Sequence, residues 1–281
     1  MRTAAGLLSL CACNQVFDLT PTSLPPADAA PRCPDSGPPP FSNRLVQAAT
    51  QPCDNYSYST VTHRALAMCS YEAAPYRRLA EGPVDGMLDE VPIVSPSGLR
   101  LDYPRISSDG SEAWFLAQDT ATFKFTFSVF RRQRDSVWTW SHDVDLSAGK
   151  EAVIVGRFDT SEGKRLLLQI GPGGNPSTLE ERTDDGSGTW NTVLRTASFD
   201  ALGVAYFDVL GVSPDGLRLV FAGEIGSTRG MFYADRPDAS SDFSPAVPLD
   251  NVPAASSVYY LDADCSRLYF SAIGSVFYAV P

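Results

Sequence analysis

Three features of this sequence predict an all-β fold. Short runs of alternating apolar and polar residues fill the chain from Phe41 onward, with no convincing period of 3.6 residues. Gly, Pro, Asp and Ser separate those runs as turn residues do. The third feature is a repeat. "SSDGSEAWF" (107–115), "TSEGKRLLL" (160–168), "SPDGLRLVF" (213–221) and "DADCSRLYF" (262–270) place Gly110, Gly163, Gly216 and Cys265 at matching positions, 53, 53 and 49 residues apart.

A hairpin explains the motif. Asp followed by Gly supplies the positive-φ position that a tight turn between antiparallel strands needs. The strand leaving the turn alternates, so Leu219 and Phe221 pack against a neighbouring layer. A second strand follows across a short loop: "FKFTFSVF", "STLEER", "GMFYADR" and "SVFYAV". An aromatic then precedes an outer strand, Trp138 or Trp140, Trp190 and Phe243 in turn. An apolar strand leads back to the next turn, as in "EAVIVGRF", "GVAYFDVLGV" and "SVYYL". Four strands in roughly 50 residues mark a propeller blade.

A degenerate copy comes first. "NYSYSTVTHRALAMCSYEAAPYRRLAEG" supplies two strands around a turn without Gly near Thr62 and His63, and "DEVPIV" and "LDYPRIS" continue it. The expected architecture is thus a β-propeller of four-stranded antiparallel blades, five in number. The last unit ends at Pro281 without its outer strand, and "FSNRLVQAA" (41–49) resembles "FSPAVPLDN" (243–251). The N-terminal strand is expected to complete the last blade, which removes an exposed sheet edge.

The chain divides into three parts. "MRTAAGLLSLCAC" (1–13) has one basic residue and a short apolar run, the layout of a secretory signal. It ends in Leu10-Cys11-Ala12-Cys13, which resembles the bacterial lipobox and implies that Cys13 becomes the first mature residue and carries lipid. An unprocessed N-terminus or a misassigned start is the alternative. Residues 14–40, rich in Pro, Ala, Ser and Asp, read as a disordered tether, and residues 41–281 as the propeller. With Cys11 removed and Cys13 lipidated, Cys33, Cys53, Cys69 and Cys265 form an even set, compatible with two disulfides in an oxidising envelope. In a blade, the turn holding Cys265 shares a face with the start of the closing strand, which Cys33 precedes. Cys53 enters the first blade from the other face, where the strand carrying Cys69 ends. Cys33–Cys265 and Cys53–Cys69 are the expected pairs, with free buried thiols as the alternative.

"VSPDGLRLVFAGE" and "YPRISSDGSEAWFLA" resemble the TolB-type, WD-like β-propeller repeat, and the start resembles that of bacterial lipoproteins. The resemblance spans residues 41–281, with good matches at two copies and degraded ones elsewhere. It implies a propeller that scaffolds protein contacts in the envelope, carries no universal catalytic residues, and uses the turn aspartate structurally.

Composition narrows the chemistry. A net charge of −11 opposes nucleic acid, and no apolar run reaches the length of a membrane-spanning helix. With two histidines, His63 and His142, and no zinc-like cysteine spacing, no metal and no cofactor are expected. The turn acids Asp109, Glu162, Asp215 and Asp264 invite a glycosidase reading, but one acid per blade around a ring does not make a close carboxylate pair. "GPGGNP" (171–176) lacks the Lys-Ser or Lys-Thr of a phosphate loop, "RRQRD" (131–135) reads as a solvated strand edge, and "SHD" (141–143) alternates faces as a strand does. Entries of inner strands offer Tyr56, Tyr58, Tyr103, Arg105, Arg157, Asp208 and Tyr260 as a funnel lining. The expected function is a lipid-anchored, monomeric envelope module that binds or scaffolds a protein or glycan and meets the membrane through its anchor only. The rival class is an envelope glycoside hydrolase or lyase working in the central funnel.

Overall fold

The repeated turn sends the chain back on itself, and each period becomes one antiparallel sheet. A computed structural model of the chain describes Phe41, Leu45–Gln47 and most residues from 52 to 280, short connecting segments apart. The expected signal, Cys13, the tether and Cys33 lie outside the described residues.

The described strands form five sheets. The first holds β2 (Cys53–Ser59), β3 (Arg64–Cys69), β4 (Arg78–Pro83) and β5 (Asp89–Glu90). The second holds β7 (Leu99–Ile106), β8 (Glu112–Asp119), β9 (Phe125–Arg132) and β10 (Trp138–Val144), with β6 (Ile93–Val94) laid parallel on the edge of β10. The third runs β11 (Ala152–Thr160), β12 (Gly163–Ile170), β13 (Thr178–Thr183), β14 (Thr192–Ser198). The fourth runs β15 (Tyr206–Val212), β16 (Arg218–Ile225), β17 (Thr228–Asp235), β18 (Val247–Pro248). In the last sheet, β19 (Ser257–Leu261), β20 (Leu268–Ala272) and β21 (Ser275–Ala279) are joined by β1 (Leu45–Gln47). The N-terminal strand therefore does complete the last sheet, with Val46 opposite Tyr278.

Burial explains the apolar runs. Second strands are enclosed on both faces: Trp114, Phe115, Leu116, Leu166, Leu167, Leu168, Leu219, Val220 and Phe221 are all buried. Outer strands β5 and β18 are two residues long and exposed. Each apolar core joins successive sheets, first to second, second to third, third to fourth and fourth to fifth. One more joins the fifth to the first through Tyr269, Tyr278, Tyr56 and Ala65. The innermost strands β2, β7, β11, β15 and β19 neighbour one another in that order, and β19 returns to β2. Sheets packed face to face around a common centre are a β-propeller.

Each innermost strand carries a bulge against its second strand. The register shifts fall between Asp54 and Ser57, Asp102 and Arg105, Ile154 and Gly156, Phe207 and Leu210, and Val258 and Tyr260. A bulge bends the strand and re-aims the side chains beyond it, and bulges concentrate beside active sites. Two of them hold a non-glycine residue at positive φ, Asn55 at +54° and Tyr103 at +48°.

Candidate functional site

Two of the four turn acids serve their own hairpins. Gly110, Gly163 and Gly216 have φ of +70°, +122° and +73°, and Cys265 in the glycine place has +57°. Asp109 accepts from Ser107 Oγ at 2.5 Å and from the Ser111 amide at 3.0 Å. Asp215 accepts from Ser213 Oγ at 2.5 Å and the Leu217 amide at 3.0 Å. The Ser107 hydroxyl, then the Ser111 amide, hold the Asp109 carboxyl below its ordinary 3.8. Both acids brace their own turns. Glu162 and Asp264 lie outside the described residues.

The seven residues expected in a funnel all stand on innermost strands, and the described side chains among them go different ways. Tyr56 is fully buried, donates to the Val84 carbonyl at 2.7 Å and stacks on Tyr269 at 5.4 Å. It is core, not lining. Arg105 is also enclosed, and its Nε donates to the Ile154 carbonyl at 2.7 Å, strapping β7 to β11. Arg157 leaves the centre as well. Its guanidinium lies 5.1 Å over Trp114 and 5.5 Å over Trp190, with Glu112 Oε2 at 3.3 Å, between the second and third sheets. Tyr103 packs half-buried against that same core. Asp208 stands at the bulge of β15, and Tyr260 stands in β19 opposite Tyr269. Tyr58 remains at the surface, where it meets His63.

The bulge level holds a polar contact that sequence reading missed. Asn55 Nδ2 donates to Asp102 Oδ1 at 2.5 Å, and the Tyr103 amide donates to the same oxygen at 3.0 Å. The Ile106 amide donates to Ser57 Oγ at 2.9 Å, so the first and second inner strands are tied twice. Asp102 is thus a structural acceptor. Ser141 Oγ and His142 Nδ1 stand 3.2 Å apart at a bulge in β10, contrary to the expected alternation. Asp143 is no third member, since its Oδ1 accepts from Ser128 Oγ at 2.6 Å and Trp140 Nε1 at 2.9 Å.

Two buried ionic clamps between sheets were also missed. Glu81, 1% exposed, meets Arg64 at 2.6 Å and Arg132 at 2.9 Å, and accepts from Trp138 Nε1 at 3.2 Å. Arg132 of "RRQRD" therefore turns inward. Glu181, also 1% exposed, meets Arg165 at 2.9 Å and Arg236 at 2.7 Å. The available signal was the recurrence of an Arg two residues after the turn glycine (Arg165, Arg218) with an acid on the next strand (Glu181, Asp235).

A third cluster sits at the seam of the last and first sheets. Tyr58 Oη and His63 Nδ1 lie 2.5 Å apart, and the Tyr58 and Tyr269 rings stack at 6.4 Å. Arg267 Nη1 donates to Tyr269 Oη at 3.3 Å and lies 4.9 Å over the Tyr278 ring. Among the described residues no three His, Cys, Asp or Glu gather as metal ligands, and no helix is long and apolar enough to cross a membrane.

No family model and no curated protein sequence matches the chain. Among solved structures it is similar to a member of the GH130 family of mannoside phosphorylases and glycoside hydrolases, at 10% identity over 89% of this chain and 96% of that one, with TM-score 0.54. A thermostable family-43 glycoside hydrolase matches at 9% identity, 86% and 91% coverage and TM-score 0.54. TolB from Acinetobacter baumannii matches at 15% identity over 82% of this chain, which spans 55% of that protein's length, with TM-score 0.42. At such identities the likeness is one of fold, and the fold of this chain is a β-propeller.

Proposed function

We propose that this chain is a cell-envelope binding or scaffolding module, its five sheets the five blades of one ring, held by lipid on Cys13 through the tether of residues 14–40. It takes a protein or a glycan and works as a monomer. The observation that carries this reading is the state of its acids. Asp109 and Asp215 are spent on their turns, and Asp102 is spent on Asn55 and the Tyr103 amide. A hydrolase of sugars needs two carboxylates free for chemistry, about 5–10 Å apart.

Disulfides support the address. Cys53 and Cys69 are joined, and Cys265 is disulfide-bonded too, as suits an oxidising compartment. With the first two paired to each other, Cys33 is the partner we assign to Cys265. Affinity capture from envelope extracts, beside a glycan array, tests the binding role, and failure to retain any protein or glycan would sink it. Cys13→Ala should release the protein from membranes; unchanged fractionation removes the anchor.

The rival reading is an envelope glycoside hydrolase or lyase. It draws on solved neighbours that are glycoside hydrolases. Asp102 and Asp208 would be its acids. Turnover of chromogenic glycosides that disappears in both Asp102→Asn and Asp208→Asn would favour it over binding.

A further inference from the structure

The five sheets repeat one hairpin, so each position can be compared with its four counterparts. Ala65, Ala113, Leu166, Leu219 and Leu268 stand opposite the innermost residues Tyr58, Ile106, Arg157, Val212 and Leu261. Three residues further along the second strands come Met68, Leu116, Gln169, Ala222 and Ser271. Met68, Leu116 and Ala222 each pack into the core shared with the following sheet. Gln169 faces the fourth sheet in the same way, two residues beyond Leu167 in the core of the third and fourth sheets. On the fourth sheet that core runs through Phe221 and Phe232, and the next places on the same face are Gly223 and Gly230, which pair with each other. The corresponding pairs elsewhere are Cys69–Arg78, Ala117–Thr126, Ile170–Thr178 and Ala272–Ser275. The amide therefore faces the pair of the five that lacks both side chains.

Gln169 is 0% exposed, and neither its Oε1 nor its Nε2 has a hydrogen-bond partner among the described residues. A dry, unpaired carboxamide destabilises a fold, and such groups are rare enough in native proteins to call for a reason. Packing alone would be served by a leucine, as Leu116 serves at the matching place. The way to solvent passes Gly230, half-buried near the start of β17, where a Cβ would meet nothing within 4 Å. Glycine inside a strand often marks a place where a ligand comes close. An orphaned amide facing two glycines is an arrangement that a ligand's polar groups would complete.

We propose that this slot between the third and fourth sheets, at the end away from the repeated turns, is a recognition site for a neutral saccharide, taken by one vicinal diol. One hydroxyl donates to Gln169 Oε1 and its neighbour accepts from Nε2. Leu179, opposite Gln169 on β13, and Phe221 supply apolar surface for the C–H groups of the sugar. None of these places carries a charge, and beyond them Glu224 and Arg229 stand opposite one another, so nothing selects an ion. A peptide suits the slot less well. β12 and β16, which carry Gln169 and Gly223, are paired on both sides, which leaves one carboxamide and no row of main-chain groups along them. This inference rests on the binding reading and narrows it to one site and one ligand class.

Calorimetry on the full chain with the methyl glycosides of mannose, galactose and glucose tests it. At least one glycoside should bind, cis-1,2-cyclohexanediol should compete with it, and cyclohexanol and acetamide should not. Gln169→Leu should weaken binding by about tenfold or more, since both hydrogen bonds go. Gly230→Val should weaken it too, by filling the mouth of the slot. Gln169→Leu keeps the test free of misfolding, because it removes a buried unpaired amide and should melt no lower than the parent. Glycosides that all fail to bind, that bind both variants as tightly as the parent, or that acetamide displaces would overturn the slot. A different ligand bound equally by parent and variants would overturn the slot and leave the binding reading standing; no ligand on any array removes both.

Discussion

At Gly216 a Cβ would come within 2.4 Å of the Phe158 ring, on a backbone at φ +73°. At Gly163, φ +122°, a Cβ would meet nothing within 4 Å. The two glycines look alike in sequence and are unequal in the fold. Gly163→Ala should cost about 1–2 kcal/mol, the strain of a left-handed L-residue. Gly216→Ala should cost that strain plus the clash with Phe158, and urea unfolding should rank it clearly below Gly163→Ala. Equal losses would mean that Phe158 moves aside freely. Cys265 and His63 extend the point, since both adopt the turn conformation without being glycine. Gly and Asp announced the turn in the sequence. His63 did not, because histidine carries no such turn signal in sequence.

Second strands were the most legible elements. Runs such as "AWFLA" and "RLLLQ" are apolar on both faces, and only enclosure between two sheets accommodates that. The clamps were not legible. Arg236 and Glu181 are 55 residues apart and come from different sheets, so no local pattern pairs them. Removing one partner of a buried ion group leaves the others charged and dry. Glu181→Ala should therefore lower stability by about 3–5 kcal/mol. The Arg78–Glu90 pair has the same chemistry, but its side chains are 50% and 45% exposed. Glu90→Ala should stay within about 1 kcal/mol of the parent. Denaturant melts of the two variants side by side check the contrast, and similar losses would show that the Glu181 clamp adds little.

For the molecule as a whole, closure of the last sheet depends on the N-terminal strand. β1 covers the edge of β21, and Phe41 is buried in the core between the fourth and fifth sheets. Deleting residues 1–47 should expose a strand edge and open that core. The truncated protein should melt lower and scatter light on mild heating, while the full chain stays clear. A truncated protein of unchanged melting temperature would show that β1 is dispensable.

By itself the sequence determined the repeat, the hairpin turns, the enclosed second strands, the strand that returns to the last sheet and the Cys53–Cys69 pair. Each of these is written in local periodicity, turn chemistry or matching spacing. Tertiary structure decided where the inner-strand side chains go. Tyr56 turned into the core, Arg105 onto the Ile154 carbonyl and Arg157 between two tryptophans. The physical reason is the bulge that every innermost strand carries. One extra residue breaks the two-residue alternation, so residues beyond it change face, and a place at the entry of an inner strand, from which a funnel lining was read, does not fix where a side chain turns.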